Sequence, residues 1–231
     1  MLMFASLALA TIGAAIPATY FSPWIAKSFR IRDLRKRLAR ERVVSLTYDD
    51  GPSASVTPRV LDLLHSYNVK ATFFLLGRNV RQHHRVVDRL VAAGHDVGCH
   101  SDQHLNAWLV TPWQAVTDID SGYERLSPWV RPDGMFRPPY GKMTLATYVS
   151  VRRRSAPVWW WTIDAGDTFD ELPRPREVVE RLAAAGGGIV LMHDSDRSKE
   201  RNEFVLETSA LVLDWAKRES LSVKLLRELC R

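Results

Sequence analysis

The chain has 231 residues, 46% of them hydrophobic and 25% charged, with a formal net charge of +6 and two cysteines. That length and balance suit one globular domain with a sizeable core and exclude a disordered or fibrous chain. Cys99 and Cys230 form no CxxC motif, and the sequence does not pair them.

Residues 1–26 carry no charged side chain and are rich in Leu, Ala, Ile and Phe. This stretch is long enough to cross a bilayer despite Pro17 and Pro23, and it is expected to act as a signal- or anchor-like segment. A basic linker over 27–42 follows, in which Lys27, Arg30, Arg32, Arg35, Lys36, Arg37, Arg40 and Arg42 are interrupted only by Asp33 and Glu41. Its cations would be drawn to an anionic membrane surface, although a solvated helical face is the commonest meaning of such a run. A secretory leader places positive charge before its apolar core, whereas here the charge comes after it. Read literally, the charge rule turns the N-terminus outward and leaves the domain cytoplasmic; the expected location is membrane-anchored or secreted in the cell envelope, with orientation open. No zinc-finger spacing, RNA-binding aromatic signature or basic stripe through the body of the domain points to nucleic acid.

The rest, 43–231, alternates between two periodicities. An apolar strand over Val43–Tyr48 ends in Asp49-Asp50-Gly51-Pro52, and a helix over Val56–Tyr67 leads to a buried strand at Ala71–Leu76. A helix over Arg81–Ala93, a strand at Asp96–Cys99 and a helix over Pro112–Leu126 capped by Thr111 continue the pattern. Then come a short strand at Met135–Arg137, a helix over Leu145–Arg153, a strand at Val158–Ile163, and a helix over Pro175–Ala185 stopped by Gly186–Gly188. A strand at Ile189–Met192, a long amphipathic helix over Glu203–Arg218 and a strand at Ser222–Leu225 complete it. Repeated β/α units imply parallel strands with helices outside. The length is short for eight units, so a distorted seven-stranded α/β barrel fits, with an open doubly wound sheet as the alternative. No GxGxxG or Walker-type loop follows the first strand, which leaves nucleotide binding without support.

In a parallel sheet the carboxyl ends of the strands share one face, and here each carries polar groups. Asp49 and Asp50 close the first strand. Two carboxylates at one strand end repel unless their roles are separated, one binding metal and the other left as a base. His100 and His104 follow the third strand. One Asp and two His form a typical catalytic zinc set with a coordination position left open. Arg137 opens Arg-Pro-Pro-Tyr-Gly, Asp164 and Asp167 follow the Trp-rich strand, and His193 precedes Asp194. Singly, each has a plainer meaning: a turn, a surface His pair, a rigid proline loop, a core His. Their convergence on one face is what points to a site.

These residues resemble the polysaccharide deacetylases with the NodB homology domain, family four of the carbohydrate esterases, over about Val43 to Cys230. The family's five motifs occur in order at Thr47–Pro52, His100–His104, Arg137–Tyr140, Asp164–Asp167 and Leu191–His193. The resemblance implies a distorted (β/α)7 barrel that removes N-acetyl, or sometimes O-acetyl, groups from glycans such as chitooligosaccharide or peptidoglycan with one divalent metal, usually zinc. It places the metal on Asp50, His100 and His104, makes Asp49 the general base that takes a proton from the attacking water, and makes His193 the general acid. It also implies that Arg137 orients Asp49, that Asp167 supports the protonated His193, that the backbone N–H of Tyr140 stabilises the oxyanion and that Leu191 lines the acetyl pocket. Thr168 stands where the family usually has Trp, which puts one wall of the substrate groove in doubt. Trp159–Trp161 lie upstream and are expected to be core packing, since strand alternation buries at least one of them. A noncatalytic glycan-binding barrel is the reading from another class, and the intact base and acid argue against it.

Overall fold

The structure, a computed structural model, describes residues 23–229. The apolar segment expected over 1–26 lies outside the described residues up to position 22, as does Cys230. Among the described residues no helix is long and apolar enough to cross a membrane. The basic run lies mostly on a helix, α1, described over residues 23–41.

The strands are β1 (Val43–Asp49), β2 (Thr72–Leu75), β3 (Asp96–Cys99), β4 (Ile163–Asp164), β5 (Gly188–His193) and β6 (Ser222–Val223). Between them run α2 (Val56–Ser66), α3 (Gly77–Ala92), α4 (Pro112–Leu126), α5 (Leu145–Arg153), α6 (Pro175–Ala185) and α7 (Lys199–Arg218). Every ladder is parallel, in the order β3-β2-β1-β5-β4, with β6 paired to the first residues of β1. Single parallel bridges, Cys99 to Phe136 and Phe136 to Val158, carry the sheet from β3 back to the segment that becomes β4. Phe136 is thus a seventh strand position, and the sheet curls into the distorted barrel the sequence implied. The strands expected at 135–137 and 158–163 shrink to these bridges and β4, leaving residues 159–162 outside the ladder.

All seven residues of β1 are buried, as a strand covered on both faces must be. Its alternation sorts them. Val44, Leu46 and Tyr48 pack outward with Val60, Leu64 and Val212 of the helices, while Ser45, Thr47 and Asp49 lie on the other face. These small inward groups leave room for the guanidinium of Arg137, which is fully buried and stacks 4.2 Å from the Phe74 ring centroid.

The opposite end of the barrel is closed by α1. Leu34 and Leu38 are buried together with Val43, Phe74, Trp159, Ile189 and Leu226 in a cluster separate from the outer core. Deleting the Leu38 side chain would open a cavity there, so Leu38→Ala should destabilise the fold by about 2–5 kcal/mol. Urea unfolding checks this; a midpoint equal to that of the parent would show that α1 does not belong to the cooperative unit.

Candidate metal centre and catalytic cleft

Register places the site. Asp49, last in β1, pairs with His193, last in β5, so both side chains reach the same rim. His100 follows β3 directly, its backbone N–H donating to Leu75 O at 2.9 Å, and Arg137 donates from its backbone to Cys99 O at 3.0 Å. Asp49, Asp50, His100, His104, Tyr140, Leu191 and His193 line one cleft of about 670 Å³. Arg137 and Asp167 stand behind its wall, 0% and 1% exposed.

Three ligand atoms converge. One atom each from Asp50, His100 and His104 lies within 4.8 Å of the other two. Asp50 Oδ1 is 3.5 Å from His100 Nε2 and 3.3 Å from His104 Nε2. Ligands about 2.05 Å from a tetrahedral ion stand about 3.3 Å apart, so these are edges of a coordination tetrahedron. Asp50 Oδ1 is buried and has no hydrogen-bond partner, an expensive state for a carboxylate oxygen unless a cation satisfies it. His100 Nδ1 donates to Arg137 O at 2.7 Å, which turns Nε2 with its lone pair toward Asp50. Burial, aided by the neighbouring His100, pushes His104 down to about 4, so that this imidazole is neutral and able to ligate. For Asp50, burial opposes ionisation, but His100, His193, His104 and Arg197, charged at the low pH where a carboxyl titrates, outweigh it and hold the carboxyl below its usual range. The donor set fits a divalent cation.

Beside that set stand a carboxylate, Asp49, and an imidazole, His193, each held by a buried partner. Asp49 Oδ1 accepts from Arg137 Nη1 at 2.8 Å, and the same nitrogen donates to Thr47 Oγ1 at 2.7 Å. Asp49 Oδ2 is 3.7 Å from His100 Nε2, farther than either of the Asp50 contacts. His193 is held by Asp167 in two ways: the backbone N–H donates to Oδ2 at 2.8 Å, and Nδ1 lies 3.0 Å from Oδ1. Burial disfavours the imidazolium, yet the charge of Asp167 and its hydrogen bond lead the opposing effects and raise His193 to about 9.

A model of the polysaccharide deacetylase family matches residues 36–159. The chain belongs to that family. It is 33% identical over 165 residues to a peptidoglycan-N-acetylglucosamine deacetylase of Bacillus cereus, covering 69% of this chain and 76% of the relative. It is 36% identical over 188 residues to the peptidoglycan-N-acetylglucosamine deacetylase PgdA of Listeria monocytogenes, covering 78% of this chain but 38% of that longer protein. A crystal structure of a peptidoglycan N-acetylglucosamine deacetylase, in complex with 4-naphthalen-1-yl-N-oxidanyl-benzamide, superposes with a TM-score of 0.73 at 25% identity, covering 81% of this chain and 87% of that one. The protein is therefore a polysaccharide deacetylase with a parallel α/β barrel and a possible Asp–His–His metal site.

Asp118 and Arg197, which shape this cleft, were not singled out from the sequence. Asp118 on α4 accepts the backbone N–H groups of Gln103 and Leu105 at 2.6 and 3.1 Å and so fixes the turn between the two histidines. An acidic side chain on the buried face of a predicted helix was the available signal. Arg197 donates to Asp50 Oδ2 at 3.2 Å from the loop after β5, where no periodicity points it. Trp161 also lines the cleft, as does Thr168, while Trp159 and Trp160 are buried at 1% and 4% exposure. The tryptophan run is thus core packing for two of its members and cleft wall for the third.

Proposed function

We propose that the protein is a metal-dependent hydrolase that removes N-acetyl groups from an N-acetylated glycan of the peptidoglycan or chitooligosaccharide type in the cell envelope. The observation that carries this reading is the orphaned Asp50 Oδ1 facing two imidazole nitrogens, with a carboxylate and an imidazole on either side. Asp50, His100 and His104 would hold the ion, and zinc suits one carboxylate and two imidazoles. Such an ion, when bound, lowers the pKa of water and polarises the amide carbonyl.

The chain's own groups do the rest. Asp49 takes a proton from water as the water oxygen bonds to the carbonyl carbon, and Arg137 keeps that carboxylate aimed. The backbone N–H of Tyr140 donates to the oxyanion, and Leu191 accommodates the acetyl methyl. His193, its Nδ1 bonded to Asp167, presents Nε2 and protonates the departing amine as the C–N bond breaks. Acetate and a free amino sugar result. Arg32, Lys36 and Arg40 of α1 remain exposed, which supports contact with anionic lipid as the way the domain is held near its polymer.

Protein stripped with a chelator should release no acetate from N-acetylglucosamine oligomers or peptidoglycan and should recover with added zinc or cobalt. His104→Ala should abolish tight zinc binding. Failure to bind a divalent metal would end the reading. Running acetylated xylan in the same assay separates amide from ester hydrolysis, and a domain that only binds glycan would release acetate from neither.

A further inference from the structure

We infer that Lys27 on α1 is a positioning residue for the cleft, holding from behind the turn that carries Tyr140; its catalytic consequence rests on the deacetylase reading above. Tyr140 and Gly141 are successive left-handed residues, with φ of 56° and 63°. A tyrosine adopts that conformation only where its surroundings over-determine it. Two contacts do so. On the cleft side the Tyr140 ring lies against His104, with centroids 4.5 Å apart. On the far side Lys27 Nζ donates to Gly141 O at 3.0 Å and sits 5.4 Å from the centroid of Trp161. The packing is close: a Cβ added at Gly141 would come within 2.9 Å of that nitrogen and 2.8 Å of the Trp161 ring.

The rest of α1 grips the same wall. Arg35 Nη2 donates to Thr162 O at 3.2 Å, and the Arg30 guanidinium lies 5.6 Å from the Trp159 ring centroid. Residues 159–162 are bonded to neighbouring strand positions at their ends, Trp159 N–H to Phe136 O at 2.8 Å and Thr162 N–H to Ile189 O at 3.0 Å, and cations on α1 add contacts at the same two residues. Leu34 and Leu38 root the helix in the barrel floor. The position is unfavourable for a free ammonium, since burial and then Lys142 lower the Lys27 pKa. The bond to Gly141 and the indole face offset that cost.

The test uses the full chain and two readouts. Within the turn, Gly141 N–H donates to Pro138 O and Lys142 N–H to Pro139 O, giving amides whose hydrogen exchange reports its order. In Lys27→Met, exchange at the Gly141 and Lys142 amides should rise at least tenfold while β1 and β5 are unchanged. The zinc-loaded variant should lose kcat for acetate release at least fivefold with KM within twofold, and Lys27→Arg should restore most of both. Lys27→Gln serves the same comparison if the Met variant does not fold. Unchanged exchange at Gly141 and Lys142, a rise spread through the whole barrel, or unaltered kcat would each overturn the inference. A localised rise in exchange, together with a parent protein that deacetylates no glycan, would sink the catalytic reading and leave the brace standing.

Discussion

Asp49→Asn should cut kcat for acetate release by a hundredfold or more, a barrier increase of at least about 2.7 kcal/mol, with zinc affinity nearly unchanged. The two adjacent carboxylates have different partners. Asp50 offers a buried, unsatisfied oxygen to two imidazoles, whereas Asp49 Oδ1 is already taken by Arg137. An amide in place of Asp49 can still accept from the guanidinium but cannot take a proton from water. Asparagine is therefore a cleaner probe than alanine, which would leave the fully buried Arg137 without any acceptor at that position. Breaking a buried ion pair by removing one partner costs roughly 3–5 kcal/mol, so Asp49→Ala would mix unfolding with lost chemistry. Isothermal titration with zinc alongside initial rates separates the roles. A kcat within tenfold of the parent would remove Asp49 as the base, and loss of zinc binding would make it a ligand.

Much of this fold could be read where local signals were self-sufficient. Thr111 caps α4 through a reciprocal box with Gln114, and Gly186 stops α6 in a left-handed conformation; both ends fall where the sequence predicted. Elements with polar first turns began earlier than expected. The first turn of α7, Lys199 to Asn202, is capped by Ser198, but its apolar periodicity begins only at Phe204. Strands depend on partners that lie far away in the chain, and there the reading failed at the seam. Phe136 makes single bridges, and three consecutive tryptophans leave the ladder between Val158 and Ile163. An apolar run announces burial without naming its neighbour. In the basic run the stripe Ile31, Leu34 and Leu38 at helical spacing was outnumbered by charge, so a barrel plug read as a linker. The residues singled out from the sequence gather at one rim because they sit at or beyond strand positions in a parallel sheet. Asp118 and Arg197 were not singled out, since only tertiary folding brings a helix face and a loop to that rim.

Asp167→Asn should move the alkaline limb of the deacetylation profile to lower pH by one unit or more. The effect runs through His193, which in the proposed mechanism must be protonated to deliver its proton to the amine. Burial opposes the imidazolium, and Asp167 is the largest influence raising His193 to about 9. Activity that needs the charged form therefore falls as pH rises through the folded value. A divalent ion opposes the imidazolium as well, so the limb of the loaded parent lies below 9; the displacement between variant and parent is the quantity to read. The substituted amide brings no charge and has one acceptor oxygen for the two donors that Asp167 holds, the backbone N–H and Nδ1 of His193, so the shift reads the lost charge together with one lost hydrogen bond. Stability should change in the same direction. With the folded value raised from 6.5 to about 9, the contribution of charged His193 is complete below pH 6.5 and disappears as pH passes 9. In metal-free protein the parent should therefore lose melting temperature over that window, and Asp167→Asn should lose less of it. Coincident rate profiles for the two proteins would show that Asp167 only holds the ring in place.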